Sequence, residues 1–199
     1  MKYTLKFENH SKNVGDICVY QTDPKFDLDD NVMSLAWFTK RTHPETKVDF
    51  KWGIDYSFVW SETGELKPGV IFEASQVLEA DLEKDNNAIF DYEQEAFIIK
   101  SDSNGKAGSL QITEGRNIPF NRASVGIGMS GAGTFAKPAQ PNMNLKFTPH
   151  PEYWITFGNF VKGEVLDIGE ITNKQKIDFP ANQYSLTVIL QEDNTWKIV

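Results

Sequence analysis

The chain has 199 residues, 20 basic and 28 acidic, and a net charge of −8. That balance excludes the basic footprint of a nucleic-acid binder, and no block of basic residues is longer than Lys40-Arg41. With 40% hydrophobic and 13% aromatic residues the chain can fill a core without disulfides or metals, and its single cysteine, Cys18, excludes an internal disulfide.

Residues 1–13 contain no apolar h-region and no small-residue cleavage site. The expectation is a cytoplasmic protein without a signal peptide, or one exported by a leaderless route. No apolar run approaches the roughly 20 residues of a membrane-spanning helix. Strand-length apolar runs begin at once. Residues 3–7 alternate with period two, residues 16–21 follow a turn, and Cys18 in that run reads as a buried, inert thiol. The acidic stretch 27–31 reads as a loop, and 32–38 as a strand. Residues 48–52 alternate cleanly and 56–60 continue after Gly53, which predicts antiparallel pairing of the two or one long bulged strand.

Residues 70–75, 88–92, 96–100 and 109–113 are further strands, with a turn signal at Asp102-Ser103-Asn104-Gly105. Residues 75–84 are the one helix candidate, through Val77, Leu78 and Leu82; an edge strand or irregular segment fits equally. After a glycine-rich centre come strands at 143–148, 153–158, 175–179, 184–191 and 195–198, the last two joined by a hairpin turn at 192–194. Many short strands with turns between them predict an all-β protein, an antiparallel β-sandwich of jelly-roll or Greek-key type, with residues 1–199 forming a single domain. A faint echo links Phe38-Thr39 and His43-Pro44-Glu45 to Phe147-Thr148 and His150-Pro151-Glu152. It reads either as two related halves or as one common turn used twice.

Gly126, Gly128 and Gly131 match GxGxxG by the letter. The residues that follow, from Thr134 through Pro138 to Pro141, cannot open a helix, so Gly126, Gly128, Gly131 and Gly133 read as a structural glycine turn with close backbone packing, or as a bulged strand pair. His10, His43 and His150 lack the spacing of a zinc site. The clusters Asp27, Asp29, Asp30 and Asp81, Glu83, Asp85 lack the features of an EF-hand loop, so no metal and no cofactor is expected. Ser130 lacks a nucleophile elbow, and a Ser124, His150, Asp167 triad is a combination that any chain of this size supplies. The aromatics carry more information. Trp37, Trp60, Tyr153, Trp154 and Phe157 are the candidate binding or interface residues; if both faces of 153–157 are apolar, one covers the core and the other meets a second layer, a subunit or a ligand.

Several stretches carry a family resemblance: residues 16–21 (DICVYQ), 34–38 (SLAWF), 52–60 (WGIDYSFVW), and above all 123–133 running into 142–158. Through them the chain resembles the RhiA family, the rhizosphere-expressed proteins first named from root-nodule bacteria. The resemblance spans nearly the whole chain. It implies a soluble bacterial protein produced in response to population density or life near a host, and it brings no catalytic residues, cofactor or substrate. The expected function is therefore non-enzymatic: binding of a ligand, or self-assembly into a homo-oligomer. Two other readings stand beside it, a leaderless membrane- or glycan-binding effector resembling the aegerolysins, with Trp37 and Trp60 exposed at strand ends, and a cryptic hydrolase.

Overall fold

The computed structural model describes residues 2–25, 31–103 and 105–199. Every regular element in them is a strand. Alternation becomes pleat in β1 (Lys2–Asn9), where Leu5 and Phe7 are buried while Lys2 and Lys6 face out. Then follow β2 (Gly15–Thr22), β3 (Met33–Ser34), β4 (Phe38–Thr42), β5 (Lys47–Gly53) and β6 (Tyr56–Ser61). The middle of the chain supplies β7 (Gln76–Ala80), β8 (Asn87–Glu93), β9 (Ala96–Ser101) and β10 (Leu110–Glu114). The glycine-rich centre forms β11 (Ser124–Met129) and β12 (Ala132–Pro138), followed by β13 (Asn144–Phe147). The chain closes with β14 (Glu152–Gly158), β15 (Lys174–Ile177), β16 (Ser185–Leu190) and β17 (Trp196–Ile198).

Four sheets result, with orders β17-β16-β1-β5, β15-β14-β2-β4, β3-β12-β11-β6-β7 and β13-β10-β8-β9. The first two share one hydrophobic cluster, which contains Leu5, Phe7, Ile17, Val19, Phe50, Trp52, Ile155 and Val188. The last two share another, with Phe58, Trp60, Phe90, Ile112, Val125, Ile127 and Phe135. The outer sides of the β2 and β11 sheets are covered by two crossover segments, 62–75 and 159–173. These bring Leu66, Phe72 and Val165 against Val59 and Ala136, and Phe160 and Leu166 against Cys18 and Tyr20.

The two sheet pairs repeat each other strand for strand. In one, β16 and β1 form a central parallel pair flanked by antiparallel β17 and β5; in the other, parallel β8 and β10 are flanked by β9 and β13. Likewise β15-β14-β2-β4 corresponds to β7-β6-β11-β12. The side chains keep register: Val19 opposes Phe38 as Ile127 opposes Phe135, and Leu5 opposes Phe50 as Leu110 opposes Phe147. Pro44 and Pro141 stand at equivalent turns, each followed by a positive-φ residue, Glu45 (63°) and Asn142 (59°). The N–H groups of these two residues donate to Asn9 and Gly115, at equivalent ends of β1 and β10. Phe38, Lys40, Pro44, Phe50 and Tyr56 each meet Phe135, Lys137, Pro141, Phe147 and Tyr153 at one constant separation along the chain. One half is continuous, β6 to β13. The other is assembled from the two ends of the chain.

Several expectations change here. The strand pair 48–52 and 56–60 does not form: after Gly53 the chain turns away, β5 pairing with β1 and β6 with β11 and β7. Residues 75–84 form no helix; Gln76–Ala80 is the edge strand β7, with Leu78 and Ala80 turned to the core in alternation. Residues 70–75 give a single bridge, Ile71 to Glu164, because this stretch crosses over a sheet instead of joining one. Strands β9 and β10 do not pair around the predicted turn at 102–105, of which Asn104 lies outside the described residues; the hairpin is β8–β9, turned by Gln94 and Glu95 at positive φ. Gly126 and Gly128 lie within β11 and Gly133 within β12, so Gly131, with φ 75°, is the one glycine of the four in a turn. The echo between His43-Pro44 and His150-Pro151 is out of register, since Pro44 corresponds to Pro141. Most of the acidic loop at 27–31 lies outside the described residues.

Candidate functional site

Beside the β11–β12 hairpin, one crossover segment and the start of the other leave a cleft of about 400 Å3. The hairpin turns in two residues, Ser130 (φ 51°) and Gly131. Ser130 Oγ fixes it from behind, accepting from the Gly53 N–H at 2.8 Å and donating to Asp55 Oδ1 at 3.0 Å. Behind the floor, Trp37 donates its indole N–H to the Met129 carbonyl at 2.9 Å. Trp37 is fully buried and stacks on Phe38 at 4.1 Å between ring centres.

The opposite wall is Phe72, whose N–H donates to the Gly163 carbonyl at 2.8 Å; Gly163 in turn donates to Ala36 at 2.8 Å. A side chain at Gly163 would meet the Phe72 carbonyl, and a Cβ at Gly133 would stand 3.1 Å from Leu35 Cδ1. The cleft exists because these two glycines leave room beside Leu35 and Phe72. Glu73 and Lys162 are its charged lining residues, and both are exposed. A second hollow of about 360 Å3 is lined by Phe157, Phe160, Leu166 and Ile171, with Asp167 and Glu170 at its edge.

The five aromatics singled out in the sequence do not form one site. Trp37 and Tyr153 come together, 6.2 Å apart, in a nest that includes Tyr3, Trp52 and Phe179. Burial pushes the Tyr153 phenol up to about 12. Trp60 lies in the other core, against Phe90 and Phe97, with its N–H on Gln76. Neither Trp37 nor Trp60 is an exposed strand-end ring; at 0% and 7% exposure both are core residues, Trp37 in the link between β3 and β4 and Trp60 in β6, which is buried on both faces. Trp154 projects from the opposite face of Tyr153's strand, donates to Thr22 Oγ1 at 2.8 Å and lies under the Lys174 ammonium. Phe157 lines the second hollow. Sequence reasoning missed Phe72, Lys162 and Gly163; the crossover segments carry no periodicity, and Gly163 is one glycine among 14.

Ser124, His150 and Asp167 are engaged separately, Asp167 accepting from the Glu170 N–H at 3.3 Å. Ser124 donates its hydroxyl to the Thr63 carbonyl, His150 sits beside Lys25 and Thr148, and His10 pairs with Glu8.

The RhiA family model matches residues 1–199. The chain belongs to the RhiA family. It is also similar to Protein RhiA of Rhizobium leguminosarum bv. viciae, 40% identical over 200 residues that cover 99% of this chain and 86% of the relative. No solved structure matches it. Among the described residues of this RhiA-family chain, no helix is long and apolar enough to cross a membrane.

Proposed function

We propose that this RhiA-family protein is a non-enzymatic binding protein whose cleft beside the β11–β12 hairpin takes a small, largely apolar molecule with one polar end. The cleft itself supports the reading. Its volume of about 400 Å3 lies within the roughly 300–1,000 Å3 of small-molecule sites. Its accessible apolar surface comes from Ile71, Ala74 and Val77, backed by the buried Leu35, Trp37 and Phe72, and Glu73 and Lys162 at the mouth suit a single polar group. The hydrolase reading has weaker support, since the Ser130 hydroxyl is engaged with Gly53 and Asp55. The membrane- or glycan-binding reading loses its two stacking rings to the core.

The test uses anilinonaphthalene sulfonate, an apolar ring system with one anionic group, followed by its fluorescence. Saturable binding to the wild type, weakened about tenfold or more by Ala74→Trp and by Gly133→Leu, is the expected result. Equal binding by the wild type and both folded variants would exclude the cleft.

A further inference from the structure

Charge is segregated in this molecule. Residues 62–95 carry ten carboxylates against Lys67 and Lys84, which accounts for the whole net charge of −8 and leaves the rest of the chain balanced. Glu73 of the crossover segment and Glu79, Asp81, Glu83, Asp85, Glu93 and Glu95, on the edge strand β7, the loop after it and the β8–β9 hairpin, are exposed. The outer face of the β1 sheet has the opposite sign. Alternation turns Lys2 and Lys6 of β1, Lys47 and Lys51 of β5 and Lys197 of β17 to solvent, interleaved with the hydroxyls of Thr4, Ser185 and Thr187. Two carboxylates of these strands share that face, Glu8, taken up by Lys47 at 3.0 Å, and Asp49 opposite Lys6, while Asp55 and Glu192 border it beside Lys2, Lys51 and Lys197. Lys2, Lys6, Lys51 and Lys197 make no ion pair among the described residues, and none there joins the face to the acidic segment within one copy.

We infer that the lysine face of the β1 sheet docks the acidic 62–95 segment of a second copy of this chain, in a head-to-tail contact. The two patches lie on different sheet pairs, one on each half of the internal repeat, so each copy presents both a donor face and an acceptor face. Such a heterologous contact propagates into a ring or an open chain of subunits. A flat sheet face with lysines and hydroxyls spaced along neighbouring strands suits several carboxylates at once, and complementary fields steer the encounter. The inference is independent of the cleft.

Sedimentation velocity on the full chain tests it. At low ionic strength the wild type should associate with rising concentration, and about 0.5 M salt, where screening reaches only a few ångströms, should return it to monomer. Lys2→Glu/Lys6→Glu/Lys51→Glu and Glu79→Lys/Glu83→Lys/Glu95→Lys, all at exposed positions, should each stay monomeric with an unchanged far-ultraviolet spectrum. Mixed together they should associate again, because the first variant keeps its acidic segment and the second its lysine face, and the two reversed faces also match. A wild type that is monomeric at every salt and concentration overturns the inference, as does an oligomer that survives high salt or a mixture that fails to associate. Binding of a monomeric wild type to phosphatidylserine vesicles, lost in the lysine variant, would assign the face to a lipid surface and overturn it too.

Discussion

Glu114 and Asn9 occupy equivalent places in the two halves, at the inner ends of β10 and β1, and both are buried. Asn9 is fully engaged there: its amide donates to Asn13 and Thr42, and its carbonyl accepts from Ser11. Glu114 accepts one bond, from the Gln140 N–H at 3.4 Å, and its Oε1 has no partner. Burial pushes its carboxyl from 4.5 up to about 7, against the opposing pulls of Gln140 and Lys137. Because the folded state holds the proton more tightly, this group stabilises the fold fully below about pH 4.5, and that contribution is lost as pH rises through about 7. Glu114→Gln should therefore raise stability at pH 8 by about 1–2 kcal/mol, allowing for solvent moderation, and flatten the rise in stability of the wild type between pH 8 and 5. Urea melts at several pH values measure it, and an unchanged pH slope would show that Glu114 is not the group responsible. None of this was visible in the sequence, where Glu114 is one of 28 acidic residues and its burial depends on pairing with β13 and β8.

Strands as local objects were largely legible, because the period-two pattern that marks a strand is the pattern that buries one face of it. Partners were not. Alternation at 48–52 says which side of β5 is apolar but nothing about β1, and the parallel register of β1 with β16 joins opposite ends of the chain. The glycine-rich stretch, which reads as a turn with close backbone packing or as a bulged strand pair, folds as the β11–β12 hairpin with Gly131 in its turn. At Gly126 an added Cβ would run into the Phe135 carbonyl, and at Gly128 it would stand 2.6 Å from the Ala132 carbonyl, beside the bulge after Ile127. Gly126→Val should thus destabilise by about 3 kcal/mol, through forced separation of β11 and β12. Gly69→Asn, at an exposed position with φ 87° and open space around it, should cost less than about 1 kcal/mol. Thermal melts of the two variants compare them directly; similar losses would mean that the β11–β12 contact is not tight.

At the scale of the molecule, the repeat was half-seen. The proline turn drew attention, but the true partner of Pro44 is Pro141, and the five coincidences at one separation stand out only once the strand order is known. The geometry carries a consequence for connectivity. Strand β17 runs antiparallel to β16 and β1 parallel to it, so both chain ends lie at one end of the same sheet, separated by a single strand. A permutant that joins the ends by a short glycine linker and opens the 148–151 connection would run β14 to β17 directly into β1 to β5. It should fold with a melting midpoint within about 5 °C of the native chain; failure to fold would show that the order of synthesis matters to the assembled half. The glycines of the β11–β12 hairpin and the crossover segment, together with Trp37, leave the cleft on which the functional reading rests.

The measurement that tests that reading most directly is fluorine NMR of the protein labelled with 5-fluorotryptophan, which gives five resonances, one for each tryptophan. Trp37 is the tryptophan that lines the cleft. Titration with anilinonaphthalene sulfonate should shift the Trp37 resonance in a saturable way and leave Trp60, in the other core, in place. A titration that leaves Trp37 unmoved while Trp52 or Trp154 shifts would contradict the cleft as the binding site.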